Sequence, residues 1–172
     1  MNDCAVMYHY VINKDFWKGS VPISPTDFEQ QITLLKQKYD IVLPSELNNI
    51  TEKPKCLLTF DDATKDQYIN AFPILKKLNV KAYFAIMSGP LQDKRIPTVH
   101  LVHATLANYT DEEIWSSLQP YVSKIDFKLA EQYYHYENSI LRRKIKYSLN
   151  MALDEQTARK FLLGKVKNKY GS

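Results

Sequence analysis

Apolar and polar positions along this chain follow two periods, one after the other. The run CAVMYHYV (4–11) is apolar, rich in β-formers and of strand length. After a loop, SPTDFEQQITLLKQKYD (24–40) reads as a helix, with Ser24 as N-cap, Pro25 at the first helical position and Asp27 where a capping-box acid belongs. Phe28, Ile32 and Leu35, at i, i+4 and i+7, give that helix one apolar face. IVLP (41–44) is a short strand closed by proline, and SELNNI (45–50) is a short helical turn. CLLTF (56–60) is the next strand. KDQYINAFPILKKLN (65–79) is helical on both sides of Pro73, which starts a new helical segment, and Asn79 suits a left-handed cap. VKAYFAI (80–86) is a further strand.

Strands that alternate with helices and carry nearly continuous apolar cores point to a parallel sheet or barrel covered by helices. Beyond Pro90 the period becomes helical and stays so. TVHLVHATLANY (98–109) is one such stretch, and TDEEIWSSLQPYV (110–122) opens with a Thr110–Glu113 capping box. Further on, Ile140, Leu141, Ile145 and Leu149 mark one apolar face. No period-2 run returns over residues 99–170. The expected fold class is α/β, with a partial (β/α) barrel-type parallel sheet in residues 1–90. An all-helical segment, 91–172, follows and supplies no strand to it.

A chain of 172 residues with 45% hydrophobic content can bury one sizeable core. Charge is uneven: residues 1–126 hold 13 Lys and Arg against 15 Asp and Glu, and residues 127–172 hold 10 against 4. A basic helical segment can serve a nucleic acid or another anionic polymer. Here the basic residues alternate with apolar ones at helical spacing, which describes a solvated helical face, and no nucleic acid is expected. No apolar run approaches the ~18 residues of a membrane span. The start MNDCAVMYHYV lacks the basic residues and long apolar stretch of a signal peptide, so a cytoplasmic location is the expectation. Cys4 and Cys56 match no metal-binding spacing and read as small buried apolar residues, although a disulfide between them is not excluded.

Two strands end in chemically capable residues at the end where parallel α/β folds collect their chemistry. The first delivers His9 and the third delivers Asp61 and Asp62. Each cysteine lies five residues before His9 or Asp61, so at period 2 it faces the opposite side. Adjacent strand residues also point to opposite sides, so Asp61 and Asp62 differ in role unless the backbone turns between them. With such a turn, one carboxylate can hold a divalent cation while the other takes a proton from water whose pKa the ion has lowered from ~15.7 toward ~7. The competing reading is an acid that caps the helix starting near Thr64.

The stretch LLTFDDATKDQYINAFPILKKLNVKAYFAI (57–86) resembles the first motif and the following helix–strand unit of the polysaccharide deacetylases, and VMYHYV resembles the opening strand of one branch. VHLVHATLA and the later helices look like an insert that this branch carries. The resemblance implies a distorted (β/α) barrel that removes acetyl groups from an oligo- or polysaccharide with a divalent metal, zinc first among the candidates. It makes Asp61 the catalytic base and Asp62 a metal ligand. His9, from its own place at a strand end beside the aspartate strand, reads either as lining the site or its substrate or as a satisfied core histidine. Ala63 departs from the family, which usually has glycine there. The family's second motif, His-Ser/Thr-x-x-His, is absent from the sequence, as are the later motifs bearing an arginine and an acid histidine. His100 and His103, at i and i+3, are candidate metal ligands on one helix face. His135, in EQYYHYEN, reads as part of a polar–aromatic helix surface. Asp61 and Asp62 are thus expected to be half of a metal-hydrolase site. The other reading is a non-catalytic relative that acts as a glycan-binding or interaction module, and a homo-oligomer would cover open strand edges.

Overall fold

The computed structural model describes residues 2–134 and 140–171. The chain forms two compact units, Met1–Phe16 with Val21–Asp93, and Trp17–Ser20 with Lys94–Ser172.

The first unit holds an open parallel sheet of β1 (Cys4–Tyr8), β2 (Asp40–Val42), β3 (Lys55–Phe60) and β4 (Tyr83–Phe84). β3 is central. β1 runs along one edge in register from Cys4↔Cys56 to Tyr8↔Phe60, while β2 and β4 share the other edge. The alternation in β3 sets the core: Cys56, Leu58 and Phe60 are fully buried. They cluster with Phe28 and Ile32 of helix α1 (Pro25–Lys38) and Leu75 of α2 (Phe72–Lys77). Three aromatic rings lock this layer, with Tyr8 edge-on to Phe28 at 4.9 Å and stacked on Phe60 at 5.3 Å. Ser24 caps α1 as expected, its hydroxyl accepting from the Asp27 backbone N–H. The Asp27 carboxylate accepts from that same hydroxyl at 2.7 Å and so does not close the capping box. A π-type turn, Gln67–Ala71, leads into α2, and Asn79 takes φ 52° just past its end.

Two strands are shorter than their apolar runs. β1 stops at Tyr8 because the backbone beyond it finds other partners: the Ile12 N–H donates to the Ile23 carbonyl at 2.9 Å, the Ile23 N–H donates to the Tyr10 carbonyl at 3.1 Å, and side chains take up Val11. The Val11 N–H donates to Asp66 Oδ2 at 2.7 Å, and Asn70 Nδ2 donates to the Val11 carbonyl at 2.7 Å. Of residues 80–86 only Tyr83 and Phe84 pair, because β3 ends at Phe60 and the chain then turns away. At the start of that run, Val80 N–H goes back to the Leu75 carbonyl at 2.9 Å.

Helix α3 (Ser88–Asp93) closes the first unit. In the second unit the described residues form α4 (Thr98–Asn108), α5 (Asp111–Leu118), α6 (Phe127–Tyr134), α7 (Leu141–Tyr147) and α8 (Glu155–Tyr170), with no strand among them. Its core includes Leu101, Leu106, Ile114, Leu118, Ile145 and Leu162, all nearly inaccessible. The Thr110–Glu113 capping box is complete, with the Glu113 backbone N–H donating to Thr110 Oγ1 and the Thr110 N–H donating to Glu113 Oε2. Those bonds hold the Glu113 carboxyl below its ordinary range. Of the Ile140/Leu141/Ile145/Leu149 face, Ile145 and Leu149 are buried, but Ile140 is 72% exposed because it precedes α7 as its N-cap. Trp17–Ser20 belongs with these helices, and a Cβ at Gly19 would collide with the His103 carbonyl oxygen.

Candidate functional site

The register of β1 and β3 decides which side chains meet. Tyr8↔Phe60 is the last pair, so His9 and Asp61 leave the sheet side by side at its carboxyl end. One further bond extends the ladder, from the Asp61 N–H to the Tyr8 carbonyl at 3.2 Å. Then the backbone turns. Asp62 has φ 75° and Ala63 φ 52°, two consecutive residues in the left-handed region. Asp62 therefore does not continue the strand alternation of Asp61. Its Oδ2 lies 3.5 Å from His9 Nδ1, with the Asp62 side chain 22% exposed and that of His9 47% exposed. Asp61 is half-buried.

A residue outside the sequence reading ties the two strand ends together. Gln67, 1% exposed, donates from Nε2 to the His9 carbonyl at 2.7 Å and also to the Asp61 carbonyl. It thereby fixes the separation of the two segments that carry His9 and Asp62. With Asp66 and Asn70 on Val11, this turn of helix spends its polar side chains on the backbone that follows β1. The signal was present: Gln67 and Asn70 stand at i and i+3 where an amphipathic helix over a sheet would have apolar residues.

An open apolar cavity of about 270 Å³ adjoins the turn, lined by Ala63, Tyr68, Phe72, Phe84 and Ile86 among others. Tyr68 and Phe72 stack at 5.9 Å with nearly parallel rings and are 74% and 47% exposed.

The donor set suits part of a metal site. Two ligands on one tetrahedral zinc, each at ~2.1 Å, are about 3.4 Å apart. The 3.5 Å between His9 Nδ1 and Asp62 Oδ2 fits that edge. Among the described residues no group of three or more His, Cys, Asp and Glu stands ready to hold an ion. His100 and His103 lie on α4 in the second unit, with ring centroids 6.4 Å apart and His103 buried. His135 falls outside the described residues.

No sequence-family model and no curated protein matches the chain. Among solved structures it is similar to IcaB from Ammonifex degensii, at 29% identity over 52% of this chain and 40% of that one, with a TM-score of 0.44. It is also similar to a polysaccharide deacetylase from Bacillus cereus, at 26% identity over 45% of this chain and 25% of that one, TM-score 0.39. A third is the Streptococcus pyogenes deacetylase PplD in complex with acetate, at 18% identity over 96% of this chain and 80% of that one, TM-score 0.47. The chain thus spans less than half the length of the first two.

Proposed function

We propose that Asp61, Asp62 and His9 are the base-bearing and metal-bearing half of a deacetylase site that acts on acetyl groups of an oligo- or polysaccharide. The observation that carries this reading is the approach of His9 to Asp62 across neighbouring strand ends, at the spacing of two donors on one ion. The TFDD motif, with its helix and strand, supports it from the sequence. Asp62 and His9 would hold a divalent ion, with zinc suited to a mixed carboxylate–imidazole set. Such an ion supplies Lewis acidity that brings the pKa of water from ~15.7 toward ~7. Asp61, half-buried at the end of β3, takes the proton from the attacking water at its carboxylate oxygen. Gln67 keeps the Asp61 and His9 backbones at fixed separation while this happens.

A catalytic zinc site ordinarily has three protein ligands, and the described residues bring two together. Acetate release from acetylated chitin oligomers, with zinc added, is therefore expected to be very slow. Asp61→Asn should lower whatever turnover remains by about 10²–10⁴-fold, the usual worth of a general base. Turnover indifferent to Asp61→Asn would overturn the assignment.

The second reading is a non-catalytic glycan-binding module, favoured by the exposed Tyr68–Phe72 stack beside the open cavity. Oligomer binding that is lost in Tyr68→Ala and intact in Asp62→Ala, with no acetate released, would select it.

A further inference from the structure

We propose that Cys4 and Cys56 are a redox pair that closes into a reversible disulfide across β1 and β3, with a low-molecular-weight disulfide such as oxidised glutathione as the oxidant. The pair is set by strand register, and it rests on no assignment of catalytic roles.

Cys4 and Cys56 are direct partners in the parallel β1–β3 ladder. Neighbouring strands lie ~4.8 Å apart, and in-register residues project from the same face. Two cysteines so placed fall inside the ~4.4–6.8 Å Cα separation that a disulfide spans, and near its short end. Both thiols are free. Cys56 is fully buried in the first unit's core, whereas Cys4 is half-buried at the start of its strand. Oxidant therefore reaches Cys4 first. A bridge near the short limit of the allowed span is strained, and strained disulfides are the readily reduced ones.

The chemistry balances without any further reagent. The Cys4 thiolate attacks one sulfur of glutathione disulfide, the S–S bond breaks, and one glutathione departs and takes up a proton. Cys56 then loses its proton to solvent and attacks the Cys4 sulfur of the mixed disulfide. The second glutathione leaves as a thiol. Two protein thiols are oxidised, and one external disulfide is reduced to two thiols. Burial, which persists once Cys4 is in the mixed disulfide, raises the Cys56 thiol above its ordinary range, so this second displacement is the slow one. Its rate should rise about tenfold per pH unit in the neutral range, following the thiolate fraction.

The redox pair and the proposed site share two strands but not the same end of them. Five residues at ~3.3 Å each separate Cys4 from His9 and Cys56 from Asp61, about 16 Å along the sheet. Closure would therefore staple the two strands that carry His9 and Asp61 while taking no group from the site.

The test follows the intact mass of the full chain in excess glutathione disulfide, without denaturant, in acid-quenched samples. A single-glutathione adduct should rise and then decay to a species two hydrogens lighter than the reduced chain, with no thiol left to alkylate. Decay of the adduct should quicken about tenfold from pH 7 to pH 8. Cys56→Ser should stop at the stable adduct and Cys4→Ser should give neither product, with Cys56→Ala serving if the serine is not tolerated in the core. Dithiothreitol should restore both thiols. A wild-type chain with native circular dichroism that keeps its glutathione adduct indefinitely, or keeps both thiols alkylatable, would overturn the proposal.

Discussion

Ala63 holds the most exacting backbone position near the site. At φ 52° its Cβ crowds the following carbonyl, a cost of roughly 1–2 kcal/mol for an L-residue with no side-chain hydrogen bond to offset it. Glycine avoids that cost but loses more backbone freedom on folding. The balance favours Ala63→Gly by about 1 kcal/mol, which a rise in urea midpoint at unchanged slope would verify. Asp62, at φ 75°, belongs to the residue types that enter this region more readily. The departure from a family glycine was visible in the sequence, but the consecutive left-handed pair was not. Gln67 is the converse case. Replacing it by leucine removes two hydrogen bonds worth about 1 kcal/mol each and also a buried Oε1 that has no partner, so the net loss should be about 1–2 kcal/mol. Equilibrium unfolding of Gln67→Leu gives the number directly. A neutral result would show that Gln67 does not hold the strand ends.

Among the elements, β3 was the most legible, because CLLTF is apolar except for the β-branched Thr59 and a central parallel strand needs such a run. The helices were legible through their caps and apolar faces, as Ser24 and Thr110 illustrate. What the pattern missed were strand lengths. VKAYFAI is apolar enough for a seven-residue strand, but strand length depends on the partner, and β3 offers β4 only Thr59 and Phe60. The burial of β1 and β3 has a titration consequence. Burial first, and the neighbouring cysteine next, push the Tyr8 hydroxyl from 10.0 up to about 12, and the Cys56 thiol rises from 9.0 to about 12. Both groups release protons from the unfolded chain before the folded one. Their contribution is thus fully present below pH 9 and is lost as pH climbs toward 12. Urea midpoints should fall across that window, and Cys56→Ala should flatten the fall. A flat wild-type profile from pH 9 to 12 would mean that neither proton is held by folding.

At the scale of the whole molecule, the chain is two units of different construction. One is an open sheet backed by helices whose strand ends carry His9, Asp61 and Asp62, and the other is helical among its described residues. Among the described residues no helix is long and apolar enough to cross a membrane. Sequence motifs picked out the strand-end residues of the first unit, because a βα junction concentrates polar groups in a short stretch. Matching strand-end placement set His9 beside the aspartates, but the 3.5 Å approach of His9 to Asp62 arises from the register of strands some fifty residues apart in the chain. The most direct test of the half-site is a calorimetric titration of zinc into the intact chain and its variants. Binding weaker than about 1 μM is expected from two protein donors, reduced in His9→Ala and abolished in Asp62→Ala. Zinc bound equally well by the wild type and by Asp62→Ala would contradict it.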